Sequence, residues 1–195
     1  MTERVPDHPI DGIFARRWSP RSLTGENVPV SELHRLFEAA RWAASSYNSQ
    51  PWRFVYANRD SAAWPEFVTL LNPFNQSWAE KAGALIVVAS RLTMSVPNGP
   101  EPVPSHSHAF DTGAACANLA LQAVHSGLVT HSMVGFDFEA AARVVGLPEG
   151  YRIEAMIAVG HQGPAEALPE AIRAREAPND RLPQTQFAFE GRFFE

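Results

Sequence analysis

The apolar run from Ala84 to Ala89 constrains the fold more than any other feature of this sequence, because none of its residues is polar. An extended segment of this composition is apolar on both faces, so we predict a central strand that is buried on each side. The longest strongly apolar stretch, residues 82–89, is far shorter than the roughly 20 residues that cross a bilayer. We therefore predict no membrane span.

Hydrophobic periodicity predicts most of the remaining elements. Apolar residues recur at helical spacing in some segments and alternate in others. These patterns predict helices at residues 29–44, 109–126 and 137–145, and strands at residues 53–57 and 151–159. The composition of residues 64–71 favours one more helix.

Composition limits the possible classes of function. A chain of 195 residues is long enough for one full-sized core, so we expect a single domain over residues 1–195. The net charge is -5 and no stripe of Lys or Arg is present, which argues against a nucleic-acid partner. Cys116 is the only cysteine, and residues 1–10 lack the apolar run of a secretory signal. We expect a cytoplasmic protein in a reducing compartment.

Residues 161–195 pose a packing problem. Prolines at positions 164, 169, 178 and 183 deny much of this segment regular structure, yet phenylalanines at positions 187, 189, 193 and 194 would expose a large apolar area if it were unsupported. A segment of this kind is suited to reach a second copy of the chain and add a strand there. We predict a homodimer in which the C-terminal arms, from about residue 161, are exchanged.

An arginine-rich segment, Arg16-Arg17-Trp18-Ser19-Pro20-Arg21, precedes the first long predicted helix. Planar guanidinium groups on either side of the Ser19 hydroxyl are suited to bind a phosphate. A solvated surface loop is the alternative interpretation.

Short polar side chains follow the helix predicted at residues 29–44. The block Ser45-Ser46-Tyr47-Asn48-Ser49-Gln50-Pro51-Trp52 offers more hydrogen-bonding capacity than one turn requires. A helix end satisfied by its own side chains is the alternative. Together with the arginine-rich segment, the block favours a phosphorylated heteroaromatic ligand, which we interpret as flavin mononucleotide (FMN).

These segments resemble the nitroreductase family of FMN-dependent oxidoreductases. Family members carry an Arg-x-Ser-x-Arg/Lys element, matched by residues 17–21, and a Ser-Ser-x-Asn-x-Gln-Pro-Trp block, matched by residues 45–52. Residues 133–137 look like the family's Gly-Phe-Asp turn beside the isoalloxazine, and residues 179–183 look like its phosphate-binding Arg-Leu-Pro element. The resemblance covers most of the chain. It implies a three-layer α+β fold with a central mixed or antiparallel sheet flanked by helices.

The resemblance also implies a role for each matched residue. The phosphate, ribityl chain and pyrimidine edge of FMN would be held by Arg17, Ser19, Arg21 and Arg181. The partner subunit would supply Ser45, Ser46, Asn48 and Gln50. Asn75 resembles an asparagine that binds the pyrimidine, and Val134 and Gly135 lie where the backbone approaches the reactive ring nitrogen.

Two positions depart from the family pattern. Trp78 stands roughly where many relatives have a lysine near the pyrimidine, and Val134 replaces a common glutamate. A missing cation makes the reduced anionic flavin less favourable. The flavin potential and the choice of substrate are therefore left open.

The activity implied by the resemblance is hydride transfer from NADH or NADPH to FMN, and then from reduced flavin to a nitroaromatic, a quinone or a similar electron-poor molecule. Because the flavin carries the chemistry, no catalytic side chain is assigned. A module that stores or senses FMN without turnover is the alternative from another class. Reductive dehalogenation and azoline dehydrogenation on the same scaffold also stay open.

Other motifs argue against competing classes. His106-Ser107-His108 with Asp111 superficially suggests a metal site, but no later His/Cys pair completes it, so we predict no metal. The sequence contains no Gly-x-Ser-x-Gly, Gly-x-Gly-x-x-Gly or Gly-Lys-Ser/Thr element, which disfavours a hydrolase, a Rossmann dehydrogenase and a nucleoside triphosphatase. The Pro-rich residues 95–107 are predicted to form a mobile loop.

Overall fold

The strands form the centre of the structure, a computed structural model that describes residues 4–193. Within these residues the strands are β1 (Trp52–Asn58), β2 (Ala84–Arg91), β3 (Thr93–Met94), β4 (Val103–Pro104), β5 (Val129–Met133) and β6 (Tyr151–Gly160). Four of them form an antiparallel sheet in the order β1-β2-β6-β5. The short strands β3 and β4 pair separately with each other; β4 lies inside the loop predicted at residues 95–107, whereas β3 comes just before it.

The central position of β2 is confirmed. Its pairing with β1 runs from Trp52↔Ser90 to Asn58↔Ala84, and its other edge pairs with β6. All residues from Ala84 to Ala89 are buried.

Helices cover both faces of this sheet. They are α1 (Gly12–Arg16), α2 (Val30–Arg41), α3 (Trp64–Thr69), α4 (Pro73–Ala79), α5 (His108–His125), α6 (Phe138–Val144) and α7 (Glu170–Arg173). Because side chains alternate along a strand, Leu85 and Val87 pack with residues of α3, α4 and α6, whereas Ile86 and Val88 pack with residues of α2 and α5. The result is the three-layer α+β arrangement that was expected. None of the helices in the described part has the length and hydropathy of a membrane span.

Several boundaries differ from the sequence predictions. Helix α2 ends at Arg41 and not at residue 44, because Trp42 leaves the helical conformation with ψ of 7°. The helix predicted near residues 64–71 ends at Thr69, and a second helix begins at Pro73, capped by the Asn72 side chain. Strand β5 was missed because its five residues include Thr130, His131 and Ser132, which break the apolar pattern.

The C-terminal segment first packs on its own chain. Leu168 and Ile172 are buried in the same core cluster as residues of β2 and β6. The exchange of an arm from about residue 161 stays a prediction. Beyond Glu176 most of the described residues are exposed, and they contain the short 3-10 turn Gln184–Gln186 but no strand.

Candidate functional site

A cavity of about 390 Å³ lies between the loop after α1, strand β5 and the segment after α7. It is lined by Arg4, Arg17, Trp18, Ser19, Arg21, His131, Arg175, Ala177, Asn179 and Arg181. We call it the arginine cavity. It brings together Arg17, Ser19, Arg21 and Arg181, which the sequence placed in two separate motifs more than 150 positions apart.

The loop from Arg17 to Ser22 is fixed from several directions. The Arg17 Nη1 donates to Ser19 Oγ at 3.3 Å, and Arg4 Nη1 donates to the Arg17 carbonyl at 2.8 Å. At the other end, Ser22 Oγ donates to the Pro164 carbonyl at 2.6 Å. These bonds hold the loop in place although it has no regular secondary structure.

The described lining of the cavity contains five arginines and no carboxylate. Burial lowers the pKa of Arg17, and the neighbouring charges of Arg181 and Arg4 lower it further. Burial also lowers the pKa of Arg21, with Arg175 adding to the effect and Glu176 opposing it. Among residues 4–193, none of the cavity's five arginines forms an ion pair with a carboxylate. The Nε of Arg21 is buried and has no hydrogen-bond partner in the described part of the chain. An anion is the ligand that such a group of donors binds.

An aromatic wall supports this loop. His131 Nδ1 lies 3.1 Å from the Pro20 carbonyl oxygen, and the His131 ring lies 4.6 Å from the Trp78 ring, centre to centre. The Arg21 guanidinium lies about 6 Å from the Trp78 and Phe74 ring centres. Trp78 is only 1% exposed, so the residue that departs from the family pattern is a core side chain behind Arg21 and His131.

A second group of contacts joins α4 to the turn after β5. Asn75 Nδ2 donates to the Gly135 carbonyl at 2.9 Å, and that carbonyl also accepts from Asn72 N at 3.1 Å. A Cβ on Gly135 would lie 2.5 Å from Asn75 Nδ2 and 2.6 Å from Asn72 Nδ2, so only glycine fits without movement. The adjacent Val134 is 70% exposed. Helix α4 thus presents Asn75 to this turn, while Phe74 and Trp78 lie against Arg21.

The block from Ser45 to Gln50 lies apart from the arginine cavity, and none of its residues lines it. Tyr47, Asn48 and Gln50 have φ values of 52°, 53° and 46°, which is the left-handed region. Local bonds satisfy part of the block: Gln50 N donates to Ser45 Oγ at 3.0 Å, and Ser46 N donates to Asp111 Oδ2 at 3.1 Å. The side chains of Asn48 and Gln50 are exposed. Their contribution to a partner's site stays a prediction.

Sequence reasoning missed several cavity residues. Arg4, Arg175, Asn179 and His131 all line the arginine cavity, but no role was assigned to them from the sequence. Their only signal was proximity to recognised elements: Arg175 and Asn179 precede Arg181, and His131 precedes the Gly135 turn. Arg4 lies in an N-terminal segment that has no motif.

The motif His106-Ser107-His108 with Asp111 lies at the start of α5, and none of these residues lines the arginine cavity. His108 Nδ1 lies 2.8 Å from Ser90 Oγ, and the same hydroxyl donates to Glu154. Asp111 accepts from Ser107 Oγ at 2.9 Å. In the part of the chain that the structure describes, no group of three or more His, Cys, Asp or Glu side chains is arranged to hold a metal ion.

Comparison with known proteins decides the family. Residues 14–161, more than half of the chain, match the Nitroreductase family. The chain belongs to this family. A solved structure of an oxidoreductase containing FMN is 41% identical, with a TM-score of 0.94, and the match covers 98% of this chain and 96% of that one.

Two relatives of known sequence extend this comparison. A 15.4 kDa protein from the ask 5′ region of Mycolicibacterium smegmatis is 37% identical over 149 residues, which are 72% of this chain and 97% of the relative. The major NAD(P)H-flavin oxidoreductase of Aliivibrio fischeri is 32% identical over 89 residues, 44% of this chain and 41% of the relative. The resemblance found in the sequence motifs is confirmed.

Proposed function

We propose that this nitroreductase-family chain is an FMN-dependent oxidoreductase that passes hydride from NADH or NADPH to an electron-poor small molecule, such as a nitroaromatic or a quinone. The observation that carries the proposal is the convergence of Arg17, Ser19, Arg21 and Arg181 on one cavity without a carboxylate partner in the described residues. The FMN in the 41% identical structure supports the choice of cofactor. The NAD(P)H-flavin oxidoreductase of A. fischeri supports the choice of hydride donor.

The donors in the cavity match the chemistry of a phosphate monoester. Guanidinium groups bind phosphate oxygens through paired N–H bonds, and the Ser19 hydroxyl adds a donor between Arg17 and Arg21. The buried Nε of Arg21 has no hydrogen-bond partner among residues 4–193, which suits a ligand oxygen. In this proposal Arg17, Ser19, Arg21 and Arg181 hold the phosphate end of FMN.

The turn at Gly135 is suited to the redox end. Flavin, when bound, accepts hydride from the nicotinamide and delivers it to the second substrate. Asn75 fixes the Gly135 carbonyl, and the lack of a side chain on Gly135 lets this turn pack directly against Asn72 and Asn75. The exposed Val134 beside it would contact the substrate that occupies the flavin face. The protein's task is to orient ring and substrates, so no side chain is proposed as acid or base.

We propose that a second copy of the chain completes the site. The half-buried side chains of Ser45 and Ser46 and the exposed side chains of Asn48 and Gln50 would then reach the partner's flavin. Large exposed aromatics lie in or next to this block: Trp42 caps α2, Tyr47 is inside the block, and Phe110 neighbours Asp111, which binds Ser46 N. A homodimer interface on this surface would remove these rings from water.

Visible absorption of the purified protein tests the proposal. We expect flavin bands that bleach when NADH or NADPH is added without oxygen and return when a quinone or nitroaromatic is supplied. A protein that stays colourless in excess FMN would contradict the proposed cofactor. Bound flavin that neither nucleotide reduces would favour a storage or sensing module instead.

A further inference from the structure

A carboxylate from the C-terminal segment binds the backbone of the loop from Arg17 to Ser22, which we call the arginine loop. Glu176 Oε1 accepts from the backbone N–H groups of Arg21 and Ser22, each at 2.8 Å, and Glu176 Oε2 lies 3.0 Å from Arg21 N. Bonds between an ionised carboxylate and backbone N–H groups are among the stronger hydrogen bonds in proteins. Glu176 thereby ties the segment after α7 to a loop that precedes α2.

Glu176 does not line the arginine cavity itself. Its neighbours Arg175 and Ala177 both line that cavity, whereas Glu176 lines a separate cavity together with Trp18 and Pro178. The carboxylate is thus behind the wall that Arg175 and Ala177 present to the cavity. A ligand in the arginine cavity would contact its neighbours and not Glu176.

The segment beyond Glu176 has weaker support. Before it, Ile172 is buried in the core and Glu176 N donates to the Arg173 carbonyl at 3.0 Å. After it, Arg181 is exposed and its Nη1 donates only to the nearby carbonyls of Asn179 and Asp180, at 3.2 and 3.0 Å, among the bonds of residues 4–193. The hydrogen bonds of Glu176 therefore place the segment that follows it against the arginine loop.

We infer that Glu176 is a positioning residue that brings Arg175 and Arg181 to the Arg17–Arg21 loop and so completes the phosphate site. The inference rests on the proposed function, in which FMN supplies the phosphate. It predicts that loss of the Glu176 carboxylate changes the affinity for phosphate in the direction opposite to that expected from charge alone. Removing a negative charge next to an anion site should tighten phosphate binding through charge alone, whereas loss of the positioning bonds should weaken it.

Two substitutions separate charge from position. Glu176→Gln removes the charge but keeps an Oε1 that can accept from both N–H groups, whereas Glu176→Ala removes the acceptor. We expect Glu176→Ala to raise the Kd for FMN about ten- to hundredfold, the loss of one charge-assisted contact. We expect Glu176→Gln to stay within about threefold of the unsubstituted chain. Glu166→Ala, an exposed carboxylate in the same segment, is the matched control.

Riboflavin, which lacks the phosphate, provides the readout that general disruption would not give. Glu176→Ala should weaken FMN binding while leaving riboflavin affinity nearly unchanged. Hydrogen exchange at the Arg21 and Ser22 amides should be faster in Glu176→Ala than in the unsubstituted chain, but not in Glu176→Gln. Unchanged or tighter FMN binding in Glu176→Ala would overturn the inference. So would equal losses for the two flavins. If the unsubstituted chain binds no FMN, the proposed function fails and this inference fails with it.

Discussion

The arginine cavity and the block from Ser45 to Gln50 are assigned to the same ligand, yet the chain builds them in different ways. The cavity is assembled within one chain by the loop after α1, by β5 and by the C-terminal segment. The block lies outside that cavity, and its Asn48 and Gln50 side chains are exposed. One region is a formed cavity lined by arginines, and the other presents exposed polar side chains outside that cavity. This difference supports a site divided between two copies of the chain.

The backbones of the two regions sharpen the contrast. Arg4, His131 and Glu176 contact backbone atoms of the arginine loop, and none of its residues has a positive φ. The block has three non-glycine residues in the left-handed region. Such strain persists where the surroundings or a function require it. Its concentration here favours a functional role over the alternative of a simple helix end.

Deleting residues 187–195 is expected to have the largest effect, because it tests whether a second copy is needed at all. Phe187 and Phe193 are 60% and 88% exposed in one chain. At roughly 1.5–3 kcal/mol for burial of a fully exposed phenylalanine, covering the exposed parts of both would stabilise a dimer by about 2–4 kcal/mol. We expect sedimentation equilibrium to show a weaker dimer. Val30→Ser, at an exposed position on α2, is the control, and a truncated chain that dimerises as tightly as the full one would contradict arm exchange.

Arg17→Ala tests the formed half of the site. Loss of one charge-assisted contact should weaken FMN binding by about 1.5–3 kcal/mol, measured by titration with FMN. Riboflavin binding should change less, because it has no phosphate. Arg35→Ala is the matched control, since Arg35 is an exposed arginine whose ion-pair partner is Glu32. Equal FMN affinity in the two variants would refute the phosphate assignment.

Gln50→Gly tests the strained half. Other residues pay roughly 1–2 kcal/mol to adopt a left-handed backbone conformation, and glycine does not. The free energy of unfolding should therefore stay the same or rise by about 1 kcal/mol. FMN binding should weaken, because the side chain that would reach the partner's ligand is lost. Unchanged affinity with higher stability would mean that the strain serves no ligand.

Mixing the last two variants decides whether the site is shared. In a dimer of one Arg17→Ala chain and one Gln50→Gly chain, a shared site predicts that one cavity has both native residues and the other has neither. Titration of the isolated mixed dimer should then find one site of native affinity. Two sites that are both weakened, each with the affinity of one of the single variants, would place both residues in the same chain's site.

A pH titration is expected to give the smallest effect. Burial lowers the pKa of His131; the Pro20 carbonyl opposes this shift, and the charge of Arg21 adds to it. Because the folded pKa lies below the unfolded value of about 6.5, the stabilisation is complete above that pH and is lost as the pH falls through the folded pKa. Denaturant unfolding across this range should show less dependence on pH in His131→Asn, but not in the exposed control His34→Asn. If the free energy of unfolding depended on pH equally in both variants, His131 would not be the cause of the pH dependence.

Local pattern predicted the elements that carry strong periodicity. The strand at Ala84–Ala89 and the helix expected at residues 109–126 were found because burial on several sides leaves an apolar sequence. Strand β5 was not found, since a short strand at the sheet edge tolerates His131 and Thr130. The end of α2 was misjudged because Ala43 and Ala44 continue the apolar pattern after the helical backbone has stopped.

The candidate site was predictable only where a motif marks it. Arg17, Ser19, Arg21 and Arg181 were recognised from spacing that resembles the family, and the structure brings them together. Arg4 and Glu176 were not, because both act through backbone atoms of residues far away in sequence. A carboxylate that binds two N–H groups leaves no pattern in its own neighbourhood. Such contacts depend on the folded path of the chain.

Five arginines and no carboxylate line the arginine cavity in the described residues, which affects the stability of the protein. Like charges held close together repel, so the empty protein would lack a counterion that its cofactor supplies. A ligand at a hundred times its Kd adds about 2.7 kcal/mol to the free energy of unfolding. The supply of flavin would then affect the rate at which the protein is degraded by proteases, in addition to its catalytic rate.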